Sequence, residues 1–211
     1  MAITNTGIDN QVLETIKNRR SCRDYEQKSI PKHILNKIIE AGNQAPFVAD
    51  KGFQPWRFVV VESSELKQKL IQTTYPIWKK SMDNLKEALP EIYGAAMKVY
   101  DDMPDPKDMV YYSAPAIVFV LGPKSNATDC ALACENMMIA ATSFGLGSCY
   151  VGFGAMVTSN PEIVKTLELT DDERIYGPIL LGYPKDASDA FVAKGLAHLI
   201  MEKKEPIIKW I

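Results

Sequence analysis

The sequence predicts an α+β fold, with one central β-sheet and helices packed on it. Three observations carry this expectation. Residues 58–61 and 116–121 are short apolar runs rich in β-branched side chains, which is how buried strands read. Residues 128–144 are apolar on nearly every side of a helix, as suits an element near the middle of a protein. Strands and helices do not alternate as regular βαβ repeats, so a doubly wound parallel sheet is not indicated. No repeat or low-complexity linker divides the chain, and 211 residues suffice for one substantial core, so one domain over 1–211 is expected.

Taken in order, Ile8, Val12, Leu13 and Ile16 share one face of a first helix that ends near Asn18. Pro31 suits the first turn of a second helix, with Ile34, Leu35, Ile38 and Ile39 as its stripe and Gly42 near its end. Two prolines and a glycine make 45–56 an irregular loop. After the strand at 58–61, Ser63 and Ser64 can cap a helix with Glu65 in its first turn. Residues 75–110 mix Tyr75, Trp78, Met82, Leu89 and Tyr100 with many charges. Pro90 interrupts any single long helix there, so one or two helices are expected, serving as ordinary packing or as a lid. Pro115 announces the strand at 116–121 and Gly122-Pro123 stop it, while Gly145 ends the 128–144 helix. Residues 145–154 hold four glycines, but the order is helix then strand, so neither a Rossmann nor a Walker loop fits. A glycine-bearing strand whose backbone approaches a flat ligand is the better reading. A helix over about 159–167, a strand over 175–183 and an extended tail over 203–211 complete the chain.

The formal net charge of −2 gives no general attraction to nucleic acid or to an anionic membrane, so any anion site must be local. No apolar run approaches the roughly 18 residues of a membrane span, and no secretory signal is visible, so a cytoplasmic protein is expected. Cys22, Cys130, Cys134 and Cys149 form no Cys-x-x-Cys pair, and His33 and His198 lie near none of them in sequence. Buried free thiols fit this pattern better than a zinc or iron–sulfur site. Three of the five arginines crowd into Arg19-Arg20-Ser21-Cys22-Arg23. Guanidinium forks suit phosphate or carboxylate, so the cluster reads as an anion site or as cations at the negative end of the preceding helix.

Several of these pieces together resemble the FMN-dependent nitroreductase-like flavoproteins. Arg19-Arg20-Ser21-Cys22-Arg23 is similar to that family's N-terminal Arg-x-Ser-x-Arg/Lys motif, and Ala45-Pro46 with Gln54-Pro55-Trp56-Arg57-Phe58 to its Ala-Pro-Ser…Gln-Pro-Trp loop. Ala114-Pro115 before a strand, Glu135-Asn136-Met137-Met138, Gly145-Leu146-Gly147-Ser148-Cys149 and Gly182-Tyr183-Pro184 follow in the family's order. The resemblance implies a three-layer sandwich whose central sheet, mixed but mostly antiparallel, is flanked by helices, with a C-terminal strand exchanged between subunits. It implies a homodimer with FMN at the interface. Arg19, Arg20 and Ser21 would hold the phosphate and ribityl chain, and Arg23 the N1–O2 edge of the flavin. Pro46, Phe47, Val48 and Gln54 would line the flavin from the partner. Val151 and Gly152 would offer backbone groups to its N5–O4 edge, and Lys203 or Lys204 a further phosphate cation.

The implied activity is reduction of nitroaromatics, quinones or similar acceptors by NADH or NADPH, with the flavin carrying the chemistry, so that no catalytic side chain is required. Three departures stand out. Phe47 replaces the usual Ser, Gly52 the usual Asn, and the loop is about two residues longer. With no cysteine-rich ferredoxin segment in the sequence, a soluble electron donor is expected. Other readings are a reductive dehalogenase, a flavin-fragmenting enzyme or an azoline dehydrogenase on the same scaffold, or a non-catalytic flavin-binding or sensing protein.

Overall fold

A four-stranded sheet forms the centre of the computed structural model, which describes residues 10–48, 52–103, 105–185 and 207–209. Its strands are β1 (Arg57–Val61), β2 (Ala116–Pro123), β3 (Gly147–Tyr150) and β4 (Glu173–Gly182), in the order β1-β2-β4-β3 with every neighbouring pair antiparallel. The helices are α1 (Gln11–Asn18), α2 (Lys32–Asn43), α3 (Ser64–Leu85), α4 (Pro90–Asp102), α5 (Ala127–Ser143) and α6 (Pro161–Thr166), with a 3-10 helix over Gly152–Ser159.

Strand periodicity divides the core into two layers. Ile117, Phe119 and Leu121 of β2 pack with Leu70, Trp78, Ala96 and Tyr111 on the side of α3 and α4. Ala116, Val118 and Val120 pack with Ile38, Ala133 and Met137 on the side of α2 and α5. Helices thus cover both faces, giving the expected three layers. Between Val118 and Val120 the pairing with β4 shifts, and Gly177 meets that irregularity with φ +94°, a conformation that side chains resist.

Local chemistry explains the element ends. The Asn10 side chain caps α1 by accepting from Leu13 N at 2.9 Å, Ser63 caps α3 and Asn160 caps α6. Pro90 stands at the first turn of α4, where its missing N–H costs nothing. Residues 75–110 therefore begin inside one helix and continue into a second. Pro76 does not break α3, because Leu70, Thr74 and Trp78 are buried on both sides of it and tertiary packing outweighs the local penalty. Tyr75, Trp78 and Tyr100 stack on one another with ring centroids 5.8–6.2 Å apart and pack on the core. The 128–144 helix is confirmed as α5, but Leu132 and Phe144 leave part of it apolar and exposed.

Arg57 ties three elements together. Its Nε and Nη2 donate to the two carboxylate oxygens of Glu173, each at 2.7 Å, while Nη1 and Nη2 also reach the carbonyls of Leu167 and Glu168. The guanidinium holds the Glu173 carboxyl below its usual range. A depressed acid stabilises the fold above its unfolded pKa of about 4.3, and that contribution is lost as pH falls through the folded value. Glu173→Gln is therefore expected to cost about 1 kcal/mol at pH 7 for this partly buried pair. In urea unfolding followed at several pH values, the gap to wild type should shrink as pH falls below the unfolded pKa of about 4.3. A gap independent of pH contradicts the assignment.

Candidate cofactor site

The arginine motif is held against β3 by main-chain bonds. Ser21 bridges Ser148 in parallel, and Cys22 N donates to the Ser148 carbonyl at 2.8 Å. The approach is close enough that a Cβ on Gly147 would stand 2.6 Å from the Cys22 Cβ, so glycine is required there. The Tyr25 hydroxyl donates to the Cys22 carbonyl at 2.6 Å and fixes the far side of the motif.

This arrangement gathers Arg19, Ser21 and Arg23 around Cys149. Burial pushes the Cys149 thiol up, while Arg23, a hydrogen bond with Ser21, and Arg19 pull it down. All four cysteines are buried and free, and burial raises each thiol, those of Cys130 and Cys134 to about 12. Such thiols pack rather than react.

The motif's residues have different partners. The Arg19 guanidinium lies 3.5 Å from the Glu135 carboxylate on α5 with both side chains partly exposed, an arrangement easily exchanged for a stronger anion. Arg20 turns back and donates to the carbonyls of Lys17 and Arg19, placing a cation at the negative end of α1. Arg23 lies over the ring of Tyr112, 5.9 Å from its centroid.

The segment after β3 differs from the expected strand. It ends at Tyr150, and Gly152 opens the 3-10 helix. The cause is local: Val151 N donates to the Pro178 carbonyl at 3.0 Å, and the Val151 carbonyl accepts from Gly154 N. The Val151 N–H and carbonyl are thus both engaged, and its side chain is buried in the core. Gly152 carries a first-turn N–H, which lacks a partner within the helix, and a Cβ there would meet nothing within 4 Å. Ser148, bridged to the motif, has a buried Oγ without a hydrogen-bond partner among the described residues.

The second loop lies elsewhere on the chain. Phe47 packs edge-to-face on Trp56 at 5.7 Å, Val48 N donates to the Asp129 carboxylate at 3.4 Å, and Pro46, Val48 and Gln54 are exposed. Asp129 stands in the first turn of α5, whereas Arg19 meets Glu135 on the order of 9 Å further along the helix axis. One chain thus brings Arg19, Ser21 and Arg23 to the Cys149 end of β3 and leaves Pro46, Phe47, Val48 and Gln54 apart, while Gly152 follows β3 at the start of the 3-10 helix. Lys203 and Lys204 lie outside the described residues. Asp108, Tyr111 and Tyr112, which contact or support the motif, escaped the sequence reading, and Glu135 entered it only as part of a helix motif and not as a partner of Arg19. The one usable signal was an Asp beginning a polar-ended turn before Ala-Pro.

Two guanidiniums and a hydroxyl close together suit an anion. No group of three or more potential metal ligands occurs among the described residues, and no helix among them is long and apolar enough to cross a membrane.

Comparison with known proteins gives the family. A crystal structure described as a nitroreductase with bound FMN, from Bacteroides fragilis, superposes with a TM-score of 0.64 at 28% identity, covering 95% of this chain and 96% of that one. A provisionally named NADH dehydrogenase/NAD(P)H nitroreductase of Methanothermobacter thermautotrophicus is 27% identical over 184 residues, 83% of this chain and 78% of that protein. An iodotyrosine deiodinase of Haliscomenobacter hydrossis is 23% identical over 202 residues, 84% of this chain and 81% of that protein. The family model described as "Nitroreductase family" matches residues 16–183. With most of its length matched, and its arginine motif, sheet and glycine turn in the corresponding order, this chain belongs to the nitroreductase family.

Proposed function

We propose that the protein is an FMN-dependent oxidoreductase that takes electrons from NADH or NADPH and reduces a nitroaromatic, a quinone or a similar small acceptor. The observation that carries this reading is the main-chain bridge that holds the arginine motif on β3, with Arg19, Ser21 and Arg23 close enough to act on Cys149. FMN would supply the two-electron redox chemistry. Arg19 would bind the phosphate, exchanging Glu135 for it, and Ser21 would hydrogen-bond the ribityl chain. Arg20 would steady the motif by capping α1. Gly152 N–H would orient the ring, and Arg23 would place a positive charge where reduction adds a negative one.

The same reading includes a homodimer of single-domain chains. On α1, Val12, Leu13 and Ile16 are 64%, 42% and 45% exposed, and α1 packs beside the uncovered side of α5 with Leu132 and Phe144. An apolar surface of this extent suits a second copy. The partner's Phe47 loop would then complete the site, and Lys203 or Lys204 and an exchanged tail would add to it. Four buried free thiols fit the reducing cytoplasm.

The test begins with the absorbance spectrum of the purified protein, where flavin bands are expected. NADH or NADPH oxidation with menadione or a nitroaromatic should follow. A flavoprotein that oxidises neither donor is instead a binding or sensing protein. The iodotyrosine deiodinase relative supports a second reading, reductive dehalogenation, which predicts halide release from a halogenated tyrosine where nitroaromatics fail.

Arg23 gives a finer test. Arg23→Gln should lower the potential of bound FMN by roughly 20 mV, the equivalent of about 1 kcal/mol for a two-electron couple. A potential equal to or above wild type in a redox titration at matched saturation would remove Arg23 from this role.

A further inference from the structure

The turn over residues 108–113 is built around one carboxylate. Asp108 is buried; its Oδ1 accepts from Val110 N at 3.1 Å and Tyr111 N at 2.7 Å, and its Oδ2 from Ser113 N at 2.9 Å. Tyr112 and Ser113 are thereby held at φ +50° and +52°, which side-chain-bearing residues rarely adopt without compensation. Such a conformation sends two consecutive tyrosines to different places. The Tyr111 hydroxyl donates to the Gly154 carbonyl at 3.0 Å, inside the 3-10 helix that Gly152 opens. The approach is so close that a Cβ on Gly154 would lie 3.0 Å from the Tyr111 ring. Tyr112 places its ring beneath the Arg23 guanidinium.

We infer that the Asp108-closed turn positions both sides of the cofactor site, with Tyr112 setting Arg23 and Tyr111 setting the segment that begins at Gly152. This rests on the flavin reading above. Tyr112 is only half-buried, and its placement beneath Arg23 goes beyond what filling the core requires. Tyr111 is fully buried, where a phenylalanine would pack as well, yet its hydroxyl is spent on a carbonyl two residues beyond Gly152. Each is a positioning residue: it acts through the group that meets the cofactor.

The test is a cycle on the FMN-loaded protein, with Tyr112→Leu introduced into wild type and into Arg23→Gln. In wild type it should reduce the preference for reduced over oxidised FMN about threefold, roughly 15 mV at 30 mV per decade. In Arg23→Gln it should change nothing further. An unchanged potential in wild type, or an equal shift in both backgrounds, overturns the inference. Should Tyr112→Leu fail to fold, Tyr112→Phe carries the same cycle, with a smaller shift of the same sign. The second arm needs no flavin. Tyr111→Phe should speed amide hydrogen exchange at 152–157 several-fold while leaving β2 unchanged, and equal exchange in both proteins sinks that arm. A wild-type protein that takes up no FMN overturns the flavin reading itself and the Arg23 arm with it. A flavoprotein whose potential ignores Tyr112 overturns the inference alone.

Discussion

Arg19→Ala is expected to weaken FMN binding by roughly ten- to a hundredfold. A charge-assisted bond to a phosphate contributes about 1.5–3 kcal/mol, and about 1.4 kcal/mol is one decade of affinity. The loss should be large because Arg19 has little to give up: its contact with Glu135 is long and both side chains are partly exposed. Glu135→Gln is the matched control. Removing the competing carboxylate frees the guanidinium, so FMN affinity should hold or rise. Fluorescence titration of the apoprotein with FMN measures both. An Arg19→Ala protein that folds and binds FMN like wild type removes Arg19 from the site.

Asp108→Ala should produce the largest loss of stability among single changes near the site. It strips the partner from three main-chain N–H groups in a segment where Asp108, Val110 and Tyr111 are all buried. Each unsatisfied buried donor costs about 1–3 kcal/mol, and water will reach some of them, so a net cost of about 3–4 kcal/mol is expected. For a chain of this size that lowers the melting temperature by roughly 10 °C. Asp102→Ala, at an exposed position, should stay within about 0.5 kcal/mol of wild type. Equal melting temperatures for the two variants would show that the Asp108 bonds are replaced rather than lost.

How much was legible depends on the range of the interaction. Residues 116–121 read as a buried strand and are one, because burial on both faces leaves only apolar side chains in a strand. Pro90 marked a helix boundary correctly because its missing N–H acts within its own turn. The arginine motif stood out through residue chemistry and order, and with the family's other motifs in sequence it pointed to the nitroreductase family that the chain belongs to. The support beneath it was not legible. Tyr112 and Ser113 hold left-handed conformations with no glycine to announce them, because the carboxylate of Asp108 imposes the turn. The 3-10 helix was hidden for a similar reason. Gly152 and Gly154 read as strand glycines, and only the distant Pro178 carbonyl, by engaging Val151, ends the strand. In each case a contact distant in sequence overrode a local preference.

The strand order also governs what happens while the chain is being made. β1 emerges first and can cover one edge of β2 as soon as Pro123 is out. The other edge belongs to β4, which ends roughly 60 residues later at Gly182. At 5–20 residues per second the ribosome needs on the order of 3–12 s for that stretch. For that time an apolar strand presents unpaired N–H and carbonyl groups to other nascent chains on the same polysome. Slow decoding between β2 and β4 would lengthen that exposure, whereas the same delay after Gly182 would fall on a sheet already closed.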